Sequence, residues 1–97
     1  MRALYDSEAH AMWIDVVDPP ATTGAGADLD AYPVLPHFDV DDRLVGVEIL
    51  NADDLPETKI VEALEGADLD LPTLLASWRA ALAAPDREVV VGPPIAA

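Results

Sequence analysis

The chain contains no cysteine, and only five of its 97 residues are basic and five aromatic. Each shortage removes a class of function. Without cysteine there is no disulfide framework, no thiolate nucleophile and no thiolate metal site. Five lysines and arginines against nineteen acidic residues leave a formal net charge of −14. Nucleic-acid phosphates need clustered cations that displace counterions, so nucleic acid is excluded as the expected partner. An anionic membrane surface is disfavoured for the same reason. No apolar run reaches the roughly 18 residues that span a bilayer. The start, MRALYDSEAH, has one arginine followed by polar residues and lacks the apolar region of a signal peptide. A cytoplasmic protein is expected.

What is present is ample apolar residue, 52% of the chain. This argues for one folded domain over residues 1–97 and against low-hydrophobicity disorder. Much of that fraction is alanine, so the core leans on Leu, Val, Ile and two tryptophans, and self-association would help it. The acidity suits solubility, a basic partner protein or divalent cations.

The segment with the strongest pattern is Phe38 to Leu50, FDVDDRLVGVEIL. It reads as a strand end, an acidic turn at Val40 to Arg43, and a strand over Leu44 to Leu50. Two-residue alternation puts Val45, Val47 and Ile49 on one face, and Leu44, Gly46, Glu48 and Leu50 on the other. Upstream, Arg2 to Tyr5 and Ala11 to Val17 read as a hairpin around the turn formers Asp6-Ser7-Glu8. Met12, Ile14 and Val16 share one face of its second strand. Asp18-Pro19-Pro20 stops that strand. Ala21 to Asp30, rich in glycine and small residues, reads as a flexible connector. A strand follows at Tyr32 to Asp39, and Pro33 and Pro36 place it at a sheet edge or confine its paired part to Leu35 to Asp39.

Residues 1–51 are thus expected to form a four-stranded antiparallel meander, and residues 54–84 two helices. Asp54 with Glu57 three residues on resembles a capping box before a helix from Leu55 to Glu65, ended by Gly66. Ile60, Val61 and Leu64 would line its buried side. Asp70 caps a second helix whose stripe is Leu71, Leu74, Leu75, Trp78 and Leu82, stopped before Pro85. The tail over residues 86–97 carries a strand-like run, Glu88 to Val91, that can add to a sheet edge of its own or a neighbouring chain. The fold class is α+β.

Two segments, YDSEAHAMWI at Tyr5 to Ile14 and HFDVDDRLVGVEIL at His37 to Leu50, with the loop between them, resemble the small bacterial domain-of-unknown-function family numbered 2283. The resemblance spans Leu4 to Asn51, and its most specific part is Arg43 to Leu50. It implies a small antiparallel sheet in a compact, self-associating protein, and no established activity. Asp42 stands where the family has its turn glycine, and aspartate tolerates the left-handed backbone such a turn requires. His10 and His37 occupy two further positions that are acidic in the family.

If the sheet is a meander, His10 and His37 meet at one end of it. With Asp39 they would offer two imidazoles and a carboxylate, a set able to hold zinc or iron(II). The alternative is two solvated histidines replacing turn acids. No HExxH, GxSxG, Walker or dinucleotide motif occurs, and an EF-hand count from Asp39 puts leucines at its glycine and glutamate positions. Glu48, among apolar neighbours on its strand face, requires a partner such as Arg43 or a histidine. Gly46 would allow a ring such as Trp13 to approach closely.

Helices cover only one side of such a sheet. Tyr5, Trp13, Leu35, Leu44 and Leu50 are expected on the other side, too much apolar area to leave wet. A symmetric homodimer through that face is the expected remedy, with the tail as a candidate exchange arm. The leading reading is a non-enzymatic, cytoplasmic, homodimeric interaction module, antitoxin-like in engaging a basic partner protein and using no cofactor. Its rival is a small metal-binding protein or metal-dependent enzyme centred on His10 and His37.

Overall fold

In a computed structural model of the chain, which describes residues 1–17 and 29–92, a five-stranded antiparallel sheet is backed by two helices. The strands are β1 (Arg2–Asp6), β2 (Ala11–Asp15), β3 (Val34–Phe38), β4 (Leu44–Leu50) and β5 (Glu88–Val90). The helices are α1 (Glu57–Leu64) and α2 (Leu71–Ala83), and a 3-10 turn at Leu29–Ala31 leads into β3. Most of the segment read as a flexible connector lies outside the described residues.

The sheet order is β3-β4-β2-β1-β5, which is not the expected meander. The tight turn between β3 and β4 fixes those two as a hairpin. The long connection after β2 lets that hairpin enter with β4, rather than β3, against β2. The tail run becomes β5 and pairs with β1 of its own chain. Hydrogen bonds between Met1 and Val91 continue that ladder at 2.7 and 2.9 Å.

Proline placement follows hydrogen-bond accounting. Leu50 N–H donates to the Pro33 carbonyl at 2.9 Å, so residues 33, 35 and 37 direct their backbone groups toward β4. Pro36 therefore faces outward on an edge strand, where its missing N–H costs no ladder bond.

One face of the sheet carries the main core. Ala3, Tyr5, Met12, Ile14, Val34, Val47 and Ile49 meet Ile60 and Leu64 of α1, and Leu74, Trp78 and Ala81 of α2. Full burial of each large aliphatic here stabilises by about 1.5–3 kcal/mol. Helix α2 starts as its sequence dictates: Asp70 accepts from the Thr73 N–H at 3.2 Å and from the Thr73 hydroxyl at 2.7 Å. Helix α1 does not use the expected capping box. Its N-cap is Pro56, with no side-chain cap, and the Asp54 N–H is spent on a turn to the Asn51 carbonyl. Ile60 and Leu64 are buried there, whereas Val61 is half-buried. An ion pair from Arg79 to Glu57 ties α2 to the start of α1.

Two residues expected on the open side belong to the core. Tyr5 sits opposite Met12 and so shares its helix-covered face. Leu44 is there because a bulge between His37 and Phe38 leaves Val45 as the extra residue, since His37 pairs with Gly46 and Phe38 with Leu44. The bulge breaks the two-residue period. Leu44 joins the core cluster, and Val45, though 3% exposed, lies outside it.

Candidate functional site

The open face of the sheet is laid out by register. One row across it reads Arg2, Asp15, Gly46, His37; the next reads Leu4, Trp13, Glu48, Leu35; a third holds Asp6, Ala11 and Leu50. Of the residues expected on this face, Trp13, Leu35 and Leu50 stand in these rows.

Trp13 dominates the centre. Its indole lies over Gly46 so closely that a Cβ built there would be 2.6 Å from the ring's Cη2. The indole N–H donates to Asp15 Oδ1 at 2.7 Å, two residues along the same strand face. His37 meets the indole edge-on, with ring centroids 4.9 Å apart and planes at 73°. Its Nε2 is 3.7 Å from Glu48 Oε1, beyond hydrogen-bond length. Neither imidazole nitrogen has a hydrogen-bond partner among the described residues, and both are shut off from solvent. The partner expected for Glu48 is thus a histidine rather than Arg43, at ion-pair range. At the β5 side, Arg2 pairs with Glu88 at 3.2 Å.

His10 is elsewhere. It follows the β1–β2 turn in left-handed backbone, φ 54°, and its Nδ1 is 3.1 Å from Asp53 Oδ2. Asp53 also holds the buried Tyr5 hydroxyl. Burial, reinforced by that hydrogen bond and by the charges of Asp53, Asp86 and Asp6, raises the Tyr5 phenol above its ordinary range. Ser7 donates to Asp86 through both its N–H, at 2.9 Å, and its hydroxyl, at 2.7 Å. The hydroxyl first and then the amide hold the Asp86 carboxyl below the usual carboxylate range.

The shared histidine corner does not form. Ala11 stands opposite Leu50, and His37 opposite Gly46 on the same strand. His10 and His37 are therefore separated along the sheet by on the order of 16 Å, at about 3.3 Å per residue. The meander assumption produced the error: with β4 between them, β2 and β3 run in the same direction, so the start of one is far from the end of the other. Asp39 is committed locally. Its carboxylate accepts from the N–H groups of Asp41 and Arg43 and from Arg43 Nε, each at 2.9 Å. The Arg43 amide contributes most to lowering its pKa. Asp42 takes the left-handed conformation of the turn, φ 62°. Among the described residues, no group of three His, Cys, Asp or Glu side chains is placed to hold a metal ion. No described helix is long and apolar enough to cross a membrane.

Sequence reasoning missed two features of this face. The orphaned nitrogens of His37 depend on burial that no spacing reveals. The Tyr5–Asp53–His10 chain depends on a turn, Asn51 to Asp54, whose path follows from Asn51 at φ 53°. No family model, curated protein or solved structure matches the chain.

Proposed function

We propose that the chain is a non-enzymatic interaction module that pairs with a second copy through the open face of its sheet and presents an acidic surface to a basic partner protein. An antitoxin-like neutraliser is the concrete form of that role. The carrying observation is the one-sided packing of the described elements: both helices lie against the Tyr5, Met12 and Ile49 face, while half-buried Trp13 and Leu50 and a 44% exposed Leu4 stand on the other, where Leu35 is already buried within the chain. Trp13 is held in place by Gly46, Asp15 and His37, so little side-chain entropy remains to be lost on docking. A rigid tryptophan ringed by aliphatics has the composition of an interface centre. The resemblance to the family numbered 2283 supports the self-association alone. A charge of −14 at neutral pH supplies the attraction for a basic partner and the salt dependence that would mark it.

The test is a mass in solution. At about 100 μM, where even a micromolar interface is saturated, light scattering should give twice the 10.3 kDa chain mass. A Leu4→Lys/Leu50→Lys variant that keeps its circular dichroism should fall to the single-chain mass. A wild-type monomer at that concentration, or a variant that stays dimeric, sinks the open-face dimer. Failure to retain any basic protein at low salt sinks the partner.

A further inference from the structure

We propose that the pocket between the β3–β4 turn and the link joining α1 to α2 takes an aromatic side chain, flanked by lysine or arginine, from the basic partner. The proposal rests on the reading of the chain as a module for a basic partner, and is independent of the open-face dimer.

Two local features form the pocket. The bulge at Val45 swings Leu44 onto the helix-covered side of the sheet, where Val16 also lies just past the end of β2. Gly66, in left-handed backbone at φ 82°, follows α1 and turns the chain into Ala67 to Asp70 before α2 begins. The space between them is about 490 Å³, a size that takes a small-molecule-sized group. Its floor is Met1, Val16 and Leu44, which belong to the core cluster, and Leu69, which packs against that cluster. Ala67, Asp68 and Asp70 rim one side, and Phe38, Asp42 and Arg43 the other, all six exposed. The pocket is thus accessible at its mouth and apolar at its base.

The rim selects what enters. Arg43 is the one cationic side chain lining the pocket, and Asp39 at 2.9 Å and Asp41 at 3.7 Å already match its charge. The Met1 ammonium donates to the Val91 carbonyl at 2.7 Å. Asp70 is engaged by Thr73, whereas the carboxylates of Asp42 and Asp68 have no hydrogen bond or ion pair among the described residues. An apolar group with positive charge on its flanks therefore fits, and one with negative flanks is repelled. Phe38, 37% exposed at the rim, offers an incoming ring a ring to pack against, which favours an aromatic anchor. Buried anchors of this kind inside a polar rim dominate binding at protein interfaces. A second copy is a poor occupant, because it brings the same charge of −14. Because the floor lies on the helix-covered side, a copy seated on the open face leaves the pocket free.

The probe is a short end-blocked peptide with one phenylalanine between lysines, titrated into the full chain while methyl and amide spectra are followed. The Leu44 and Leu69 methyl signals and the Ala67 amide should shift saturably. Alanine in place of the phenylalanine should weaken binding at least about tenfold, and glutamates in place of the lysines should abolish it. Ala67→Arg, at an exposed position, adds bulk and positive charge at the mouth and should weaken binding by a similar factor. Asp42→Asn/Asp68→Asn should weaken binding and flatten its salt dependence, since asparagine keeps the left-handed turn at residue 42. Leu4→Lys/Leu50→Lys should leave affinity unchanged; a loss there would place the peptide on the open face and overturn the proposal. Leu44 and Leu69 signals that stay unmoved at millimolar peptide also overturn it. So does equal binding of the alanine peptide, or equal binding by a folded Ala67→Arg variant, either of which would indicate diffuse charge attraction. Shifts of the same signals on concentrating the chain alone would put a second copy in the pocket, with the same consequence. A basic protein retained at low salt while the peptide fails leaves the partner reading intact and removes only the pocket.

Discussion

Trp13 and Gly46 form a single packing unit: the indole of one strand occupies the space where the neighbouring strand would otherwise carry a side chain, with the ring's Cη2 2.6 Å from any Cβ placed there. Gly46→Ala must therefore push the ring off the sheet or bend β4. Inserting bulk at a filled site costs about 1–3 kcal/mol, which for a domain of this size is a fall in Tm of several degrees per kcal/mol. The indole emission should shift as the ring loses its seat. In a Trp13→Ala/Gly46→Ala double variant the two costs should be clearly less than additive. Additive costs would mean that the two residues do not share that space.

That contact was legible in the sequence, as were the edge position of the proline-bearing strand, the Asp70 cap and the stripe of α2. The last three depend on local geometry, one residue with its neighbours at fixed spacing, whereas the Trp13–Gly46 contact joins two strands distant in sequence and was legible because a glycine among apolar strand residues leaves room for a ring. The order of strands was not legible, because the long connection after Val17 permits either neighbour for β2 and nothing in the alternating pattern distinguishes them. Tyr5 illustrates the second limit. A five-residue strand has two faces of similar composition, and Tyr5 faces the helices because it stands opposite Met12. The bulge at Val45 is the third. One extra residue moved Leu44 from the expected open face into the core, whereas the strand order, with β4 between β2 and β3, is what left His37 beside Trp13 rather than beside His10.

Acid should weaken the fold through three carboxylates. Asp39, Asp70 and Asp86 are all held below the usual carboxylate range, by the Arg43 amide, the Thr73 hydroxyl and the Ser7 hydroxyl respectively. The unfolded chain takes up protons first, near about pH 4. Their contribution is therefore complete above that pH and is lost as pH falls through the lower folded values. Urea midpoints should drop over this range, and Asp39→Asn and Asp86→Asn should each flatten the drop while lowering the neutral-pH midpoint. A midpoint independent of pH from about 5 down to 2 would contradict these assignments.

Alkali should act through Tyr5 with the opposite sense. Its folded phenol keeps its proton where the unfolded phenol, near about pH 10, has lost it. The stabilisation is whole below that pH and declines as pH rises above it. Phenolate absorbance should show a late-titrating tyrosine that is absent in Tyr5→Phe, and the same substitution should flatten the alkaline fall in stability. A late-titrating component that persists in Tyr5→Phe would contradict the assignment.

Trp78 closes the core from α2, and its indole N–H donates to the buried Ala52 carbonyl at 3.3 Å. Trp78→Phe keeps most of the packing but leaves that carbonyl unpaired, a loss of about 1–3 kcal/mol. Ser77, buried one residue earlier, donates to the Thr73 carbonyl at 2.8 Å, an oxygen on its own helix. Ser77→Ala removes donor and side-chain acceptor together and should cost less than about 1 kcal/mol. Equal penalties from the two variants in urea unfolding would show that the Trp78–Ala52 bond is not what holds the Asn51–Asp54 turn down.

His37 separates a structural from a chemical reading of the open face. Both ring nitrogens are buried without hydrogen bonds among the described residues, so the imidazole contributes shape and one edge-on contact with Trp13 while keeping polar atoms dry. Replacing an unsatisfied polar ring by an apolar one of similar outline is neutral or stabilising. His37→Phe should therefore leave stability within about 1 kcal/mol of wild type or above it, preserve the tryptophan environment and preserve the dimer. His37→Ala, which removes the support on which the indole leans, should lower Tm and weaken the dimer together. If His37→Phe instead abolished dimerisation or partner capture while remaining folded, the imidazole nitrogens themselves would be the working groups, with Glu48 at 3.7 Å as their counter-charge, and the face would have to be read as a site of chemistry and not of assembly.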